Sequence, residues 1–162
     1  MDEEKPREHF KRTTFRSDSE SDKKLRKMIS DIEAKLSDSI KPESIENLNS
    51  FERKIVHRHF DHNKEFETRT YRNDQEFILY VYPVGNITRF AQEKAEECLE
   101  SGNVVDLPAM GSYERYVVHA ALKEIGSIET KSNGEGSERH IQIHSKKFGR
   151  GLKRIVRKIR LF

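Results

Sequence analysis

Apolar residues recur at intervals of three and four in four segments of the chain, and each segment predicts an amphipathic helix. These segments begin near Leu25, Ser50, Ile87 and Ser112. Two pairs of runs rich in β-branched and aromatic residues follow the second and fourth segments, and turn-forming residues separate the runs of each pair, which predicts two β-hairpins. A short apolar stretch before the second helix and the run VVDL before the fourth predict one further strand each.

Two nearly identical stretches, SFERKIVH at 50–57 and SYERYVVH at 112–119, relate the two halves of this pattern. The same spacing of 62 residues matches Leu79 and Val81 with Ile141 and Ile143 in the hairpins. A constant spacing over such a span indicates two copies of one unit. The predicted fold class is therefore α+β, with two tandem small domains, each a three-stranded sheet packed by two helices.

Changes in composition divide the chain into four segments. Residues 1–24 are charged and almost without apolar side chains, so we expect a disordered tail there. Residues 25–83 form the predicted first domain, and residues 84–145 form the second. Residues 146–162 form a basic tail in which apolar residues have helical spacing.

Positive charge is concentrated in the tail. The whole chain carries +3, but residues 146–162 contain eight Lys or Arg and no acid, so the remainder is net acidic. This asymmetry indicates a polyanionic partner. Three roles stay open for the tail: an arm that neutralises phosphates, a helix on an anionic membrane surface, or a helix docked on the body. The tail residues that we assign to nucleic-acid binding are Lys153, Arg154, Arg157 and Lys158.

Several classes of protein are disfavoured by composition. Cys98 is the single cysteine, so an intrachain disulfide is impossible and a reducing, cytoplasmic location is expected. No apolar run approaches the roughly 20 residues that span a bilayer, and the start of the chain lacks the apolar region of a secretory signal. We expect no cofactor. The cluster HRHFDH at 57–62 does not place its histidines on one helix face, so we expect no metal site.

An Arg and a His stand four residues apart in both halves, as Arg53 and His57 and as Arg115 and His119. Positions i and i+4 share a helix face, so each pair presents a guanidinium beside an imidazole. Arg can bind a phosphate bidentately, and His can donate a hydrogen bond or stack. The alternative is structural: the His fills a polar niche and the Arg pairs with the preceding glutamate. The repetition of the pair favours binding.

The second half resembles the R-3-H domain, a family named for an Arg, three residues and a His. The matching pieces are LPAM, YERYVVH, TKSNGE and an Arg before the last strand, within residues 84–145. The version that ends the bacterial Jag (SpoIIIJ-associated) proteins is the most similar. The resemblance implies non-catalytic binding of single-stranded DNA or RNA by Arg115 and His119. It places Lys131, Ser132 and Arg139 near the binding face.

The first half departs from the Jag pattern. Jag proteins carry a KH domain before the R-3-H domain, but residues 1–83 contain no GxxG loop, which clamps the backbone in KH domains. We interpret this half as a diverged copy of the second. The Jag resemblance also keeps the membrane role of the tail open, because the family name is tied to a neighbouring membrane-insertase gene.

The predicted function is non-catalytic binding of single-stranded nucleic acid, with RNA favoured over DNA. The alternative is a protein-interaction or membrane-associated adaptor in which the Arg and His residues are structural. Hydrolysis ranks lower, because no nucleophile or acid partner repeats beside the two pairs. The periodicity assigns Phe51 and Tyr113 to the core. The sequence leaves the oligomeric state open.

Overall fold

The computed structural model of the chain describes residues 20–74 and 76–146. Within these residues the fold is α+β, as predicted, with four α-helices and two three-stranded sheets. A short 3-10 turn, Gly136–Glu138, lies in the second hairpin. The elements in chain order are α1 (Glu20–Leu36), β1 (Glu43–Ile45), α2 (Ser50–Phe60), β2 (Glu67–Asn73), β3 (Glu76–Tyr82), α3 (Val84–Ser101), β4 (Val105–Asp106), α4 (Ser112–Leu122), β5 (Ile128–Asn133) and β6 (His140–Ser145).

The two sheets have the same antiparallel topology. Their strand orders are β1-β3-β2 and β4-β6-β5, so the third strand of each half lies in the middle. Thr68 pairs with Val81 in the first sheet, and Thr130 pairs with Ile143 in the second, 62 residues later. The bounds of α2 and α4 differ by the same number. The spacing read from the sequence is therefore repeated in the strand register.

Each half has its own hydrophobic core between its helices and one face of its sheet. The middle strands supply alternate buried residues, Leu79 and Val81 in the first half and Ile141 and Ile143 in the second. Full burial of such a side chain stabilises the fold by about 1.5–3 kcal/mol. The period-2 pattern of the hairpins thus fixes which face of each sheet receives the helices.

The start of α1 differs from the sequence prediction. α1 begins at Glu20, so residues 20–24, predicted as part of the disordered tail, lie in its first turn. This turn carries acidic Glu20 and Asp22, which favour a helix N-terminus. Leu25 is the first buried residue of α1. The spacing of apolar residues indicates only the buried part of a helix, so it does not predict the exposed residues that precede Leu25.

Both Arg-His helices are capped one residue earlier than Ser50 and Ser112. Asn49 accepts hydrogen bonds at Oδ1 from the N–H groups of Phe51 and Glu52, each at 2.9 Å. Glu52 closes the capping box by accepting from the Asn49 N–H, also at 2.9 Å. In α4 the N-cap is Gly111, and only the reciprocal bond from its N–H to the carboxylate of Glu114 is present, at 2.7 Å.

The outer face of the first sheet packs against the start of α4. Tyr82 meets Tyr113 edge to face, with 4.6 Å between ring centroids, and the Arg69 guanidinium lies 3.9 Å from the centroid of the Tyr113 ring. Ring contacts join all five tyrosines of the chain, from Tyr71 and Tyr80 to Tyr116. We call this contact between the halves the tyrosine seam.

A second contact holds the start of α3 to the end of α1. The Asn86 side-chain amide donates to the carbonyl oxygens of Leu36, Ser37 and Ser39, at 2.8, 3.0 and 2.9 Å. These carbonyls lie at the C-terminal end of α1 and just after it, where backbone acceptors lack intrahelical partners. The Asn86 amide has two N–H groups, so one of them is shared between two of the three acceptors.

The tyrosine seam corrects the prediction that Phe51 is a core residue. Phe51 and Tyr113 are equivalent by the 62-residue spacing, yet Phe51 is 59% exposed and Tyr113 is 8% exposed. Tyr113 is buried because the first half covers the start of α4. The described residues of the second half do not cover the start of α2 in return.

The predicted tail assignments at Lys153, Arg154, Arg157 and Lys158 lie outside the described residues, as does most of the predicted N-terminal tail. Among the helices that the structure describes, none is long and apolar enough to cross a membrane.

Candidate nucleic-acid interface

Arg115 and His119 lie on one face of α4, and neighbouring elements hold both side chains. Arg115 Nη1 donates to the carbonyl oxygen of Met110, just before the helix, at 2.6 Å. His119 Nδ1 lies 2.6 Å from Thr130 Oγ1 on β5. Both side chains are half-buried. Their positions are therefore set before any ligand arrives, which lowers the ordering cost of binding.

The first half repeats this framework. Arg53 Nη1 donates to the carbonyl oxygen of Leu48 at 2.5 Å, and His57 Nδ1 lies 2.5 Å from Thr68 Oγ1. Within the described residues neither Arg53 nor Arg115 forms an ion pair, so the predicted alternative of pairing with the preceding glutamate does not occur. Each of those glutamates caps its helix instead.

The imidazoles of the two halves differ in their second nitrogen. His57 Nε2 lies 2.9 Å from Thr70 Oγ1, so both of its nitrogens have partners. Ser132 occupies the equivalent of Thr70, but its hydroxyl accepts from Arg139 Nε at 3.0 Å. Over residues 20–74 and 76–146, His119 Nε2 has no hydrogen-bond partner.

The guanidinium groups differ as well. The ring of Phe77 lies over Arg53, with 4.7 Å between Cζ and the ring centroid. The equivalent residue of the second half is Arg139, which cannot form such a contact. No aromatic ring of the described chain covers Arg115, so its remaining donors can meet a phosphate.

A cleft lies beside each arginine, and the two clefts differ in charge. The cleft next to Arg53, of about 360 Å³, is lined by Glu46 and Glu76. The cleft next to Arg115, of about 490 Å³, is lined by Glu114 and by Lys41 from the connection between α1 and β1. Lys41 thus adds a cation from the first half to the surface of the second. Carboxylates repel phosphate, so the second cleft suits an anion better.

The structure brings only some of the predicted residues together. Ser132 and Arg139 lie next to each other, with Ser132 on the same face of β5 as Thr130. Lys131 points to the opposite face of this strand, because side chains alternate, and it lies 3.6 Å from the carboxylate of Glu129. The structure therefore places Lys131 on the face of β5 opposite Thr130 and Ser132, and its contact with nucleic acid stays a prediction.

The histidines of the HRHFDH stretch do not converge. His57 contacts β2, whereas His59 Nε2 lies 2.9 Å from Glu33 Oε1 on α1. In the part of the chain that the structure describes, no group of three or more His, Cys, Asp or Glu could hold a metal ion.

Burial shifts the pKa values of His119 and Glu114 in the direction that favours their neutral forms. Desolvation, and then the nearby positive charge of Arg115, lowers the pKa of His119 below its ordinary value of 6.5. Desolvation raises the pKa of the Glu114 carboxyl, although its bond from the Gly111 N–H and the charges of Arg115 and Lys41 oppose this shift. The imidazole at the site is therefore uncharged at neutral pH.

We expect the His119 contribution to stability to decrease as the pH falls. As the pH falls below 6.5 the unfolded imidazole binds protons before the folded one does, so acidification favours the unfolded state. Above pH 6.5 both forms are neutral and the contribution is complete. The measured quantity is the free energy of unfolding of wild type minus that of His119→Gln, from urea unfolding. This difference should be smaller at about pH 5.5 than at about pH 7.5. A difference that grows on acidification would contradict the lowered pKa.

Sequence reasoning missed two residues of this surface. Lys41 lies in a connecting loop outside every repeated motif, so no sequence signal places it near Arg115. Tyr116 stands next to Arg115 and is 62% exposed on α4. Its helical position predicts exposure, but neither the charge pattern nor the repeat draws attention to it.

Residues 85–145 match the family model of the R-3-H domain. A search of curated proteins finds no match to this chain. The match begins one residue after the predicted start of the second domain and ends at the predicted boundary, and it contains Arg115, His119, Ser132 and Arg139. Domains of this family generally bind single-stranded nucleic acid. Residues 85–145 of this chain are therefore an R-3-H domain.

Proposed function

We propose that this chain is a non-catalytic binder of single-stranded nucleic acid, with RNA favoured over DNA, and that its second half forms the main binding surface. The proposal depends on one difference between the halves. In the second half no ring covers the Arg115 guanidinium and no described group bonds His119 Nε2. In the first half Phe77 covers the Arg53 guanidinium and the Thr70 hydroxyl contacts His57 Nε2. A surface whose donors are already occupied gains less from a phosphate than one whose donors are open.

Arg115 and Lys41 would neutralise phosphates on either side of their shared cleft. His119 would add a neutral hydrogen bond. With its proton on Nε2, the imidazole accepts the Thr130 hydroxyl at Nδ1 and presents Nε2–H to a phosphate, sugar or base. Contacts of this kind position a strand but carry little base information, so we expect weak sequence preference.

We further propose that residues 25–83 are a diverged second copy of the same domain. The repeated strand register, the matching helix bounds and the shared Arg-to-carbonyl and His-to-Thr contacts support this proposal. The copy braces the R-3-H domain through the tyrosine seam and supplies Lys41. In this view the chain is a cytoplasmic, Jag-like protein in which a second unit of the same kind stands where Jag proteins have a KH domain.

The basic residues of 146–162 would act as an arm that adds affinity without sequence information. Binding of this segment to anionic lipid is the competing role. Loss of vesicle binding, without any change in oligonucleotide affinity, on deletion of the segment would favour the lipid.

The full chain should bind a single-stranded oligonucleotide more tightly than a duplex of the same sequence. The open donors lie on a short helix face that an unpaired strand can follow. The logarithm of the affinity should fall with the logarithm of salt concentration by about 0.7 for each phosphate neutralised on the strand. Fluorescence anisotropy with labelled RNA, single-stranded DNA and duplex measures both effects.

Equal affinity for the strand and the duplex, or an affinity that salt leaves unchanged, would contradict the proposal. A chain that bound no oligonucleotide but retained a specific protein partner would support the adaptor. Shortening of the labelled RNA during incubation would instead indicate catalysis.

A further inference from the structure

We propose that Tyr116 is a stacking platform for one unpaired nucleobase of the bound strand. The inference rests on the proposed function and adds a base contact to the phosphate contacts of Arg115 and His119. It concerns an aromatic residue that the first half lacks, since Lys54 occupies the equivalent position.

The outer face of the Tyr116 ring is open. The residue is 62% exposed, the largest exposed fraction among the large hydrophobic side chains of the described chain. Its neighbours one turn away on the helix, at i−4 and i+4, are Ser112 and Ala120. Both are too small to cover an aromatic ring, so a flat ligand can approach it.

The inner face of the ring is fixed. It stacks on Tyr113, with 5.9 Å between ring centroids and an interplanar angle of 25°. Tyr113 is itself held by Tyr82 and by the guanidinium of Arg69. A ring positioned by the tyrosine seam loses little conformational entropy when a base stacks on it.

The position of Tyr116 relative to the phosphate-binding residues also fits a nucleotide. Arg115 and His119 are about 6 Å apart along the helix axis, and Tyr116 lies between them in axial height. His119 is at i+3 from Tyr116, so the two side chains are neighbours on the helix surface. A strand whose phosphate contacts Arg115 or His119 therefore brings the attached base within reach of this ring.

Phe51 provides a matched comparison. It is also an exposed aromatic residue on an Arg-His helix, and its exposed fraction is 59%. It belongs to the first half, in which Phe77 covers the Arg53 guanidinium and the Thr70 hydroxyl contacts His57 Nε2. Exposure alone thus predicts similar effects for Phe51 and Tyr116, whereas stacking beside an open phosphate site predicts an effect at Tyr116 only.

The experiment measures the affinity of the full chain for a labelled single-stranded oligonucleotide and for a strand of equal length with abasic positions. Tyr116→Ala should weaken binding of the intact strand by about 5- to 150-fold, the effect of losing one stacked base. Tyr116→Phe and Phe51→Ala should stay within about twofold of wild type. The abasic strand should bind wild type and Tyr116→Ala alike. Circular dichroism melting verifies that each variant is folded.

Unchanged binding of the intact strand by Tyr116→Ala would overturn the stacking platform and leave the proposed function standing. An equal loss on both strands would assign Tyr116 a structural role, and a loss in Tyr116→Phe as large as in Tyr116→Ala would assign the effect to the hydroxyl. Failure of wild type to bind either strand would overturn the proposed function itself.

Discussion

Arg115→Ala should weaken binding of a single-stranded oligonucleotide by about 10- to 150-fold, because hydrogen bonds to charged groups contribute about 1.5–3 kcal/mol. The guanidinium keeps open donors after its bond to the Met110 carbonyl and lies in the cleft that Lys41 also lines. Removing it leaves the phosphate without its bidentate partner. The measurement is a fluorescence anisotropy titration at moderate, fixed salt.

Arg53→Ala is the control for this prediction. The first half has the same Arg-to-carbonyl bond, but Phe77 covers its guanidinium and Glu46 and Glu76 line its cleft. We expect a loss of about fivefold at most, the size of an exposed electrostatic contact. If Arg53→Ala weakens binding as much as Arg115→Ala, both halves bind, and the open donors of the second half do not decide affinity.

Tyr113→Ala should lower the free energy of unfolding by about 3–5 kcal/mol, as expected when a buried aromatic side chain is truncated. Tyr113 is the centre of the tyrosine seam, where it packs on Tyr82 and beneath Arg69. Its loss removes contacts within the second core and contacts between the halves. Burial, and then the neighbouring Glu67 carboxylate, raise the pKa of its hydroxyl to about 12, so it stays neutral through the usual pH range.

Phe51→Ala tests whether the loss of stability in Tyr113→Ala comes from the contacts of the tyrosine seam or from removing any aromatic residue at a helix start. The two residues are equivalent in the repeat, but Phe51 is exposed, and such substitutions usually change stability by less than about 0.5 kcal/mol. Urea unfolding followed by circular dichroism and by tyrosine fluorescence gives both values. Equal losses in the two variants would show that the seam contributes nothing beyond the local role of an aromatic residue at a helix start.

The local elements could be predicted because each is encoded in its own segment. The alternation in EFILYVY and RHIQIH gives both middle strands, and the apolar spacing around the Arg-His pairs gives α2 and α4. Gly102 ends α3 in the left-handed conformation, with φ of 71°, as the sequence indicates for a helix terminator. The spacing of 62 residues then predicts that the strands of the second half pair in the same register as those of the first.

The differences between the halves could not be predicted in this way, because they arise from contacts between distant residues. Whether His119 Nε2 is open depends on which partner the Ser132 hydroxyl selects, and that partner is Arg139, seven residues further on. The opposite environments of Phe51 and Tyr113 depend on packing between the halves. The separation of Lys131 from Ser132 likewise does not follow from the motif, because neighbouring strand residues point to opposite faces.

The tyrosine seam joins unlike surfaces: a helix end of one half meets the sheet face of the other. A contact of this head-to-tail kind can in principle recur without limit, since each added unit presents a fresh sheet face. Here the second sheet carries Lys131, Gln142 and His144 where the first carries Arg69, Tyr80 and Tyr82. That face of the second sheet therefore lacks the aromatic rings through which the first sheet contacts α4. The seam is thus specific to the order of the two halves, because the second half does not carry the rings that would repeat it.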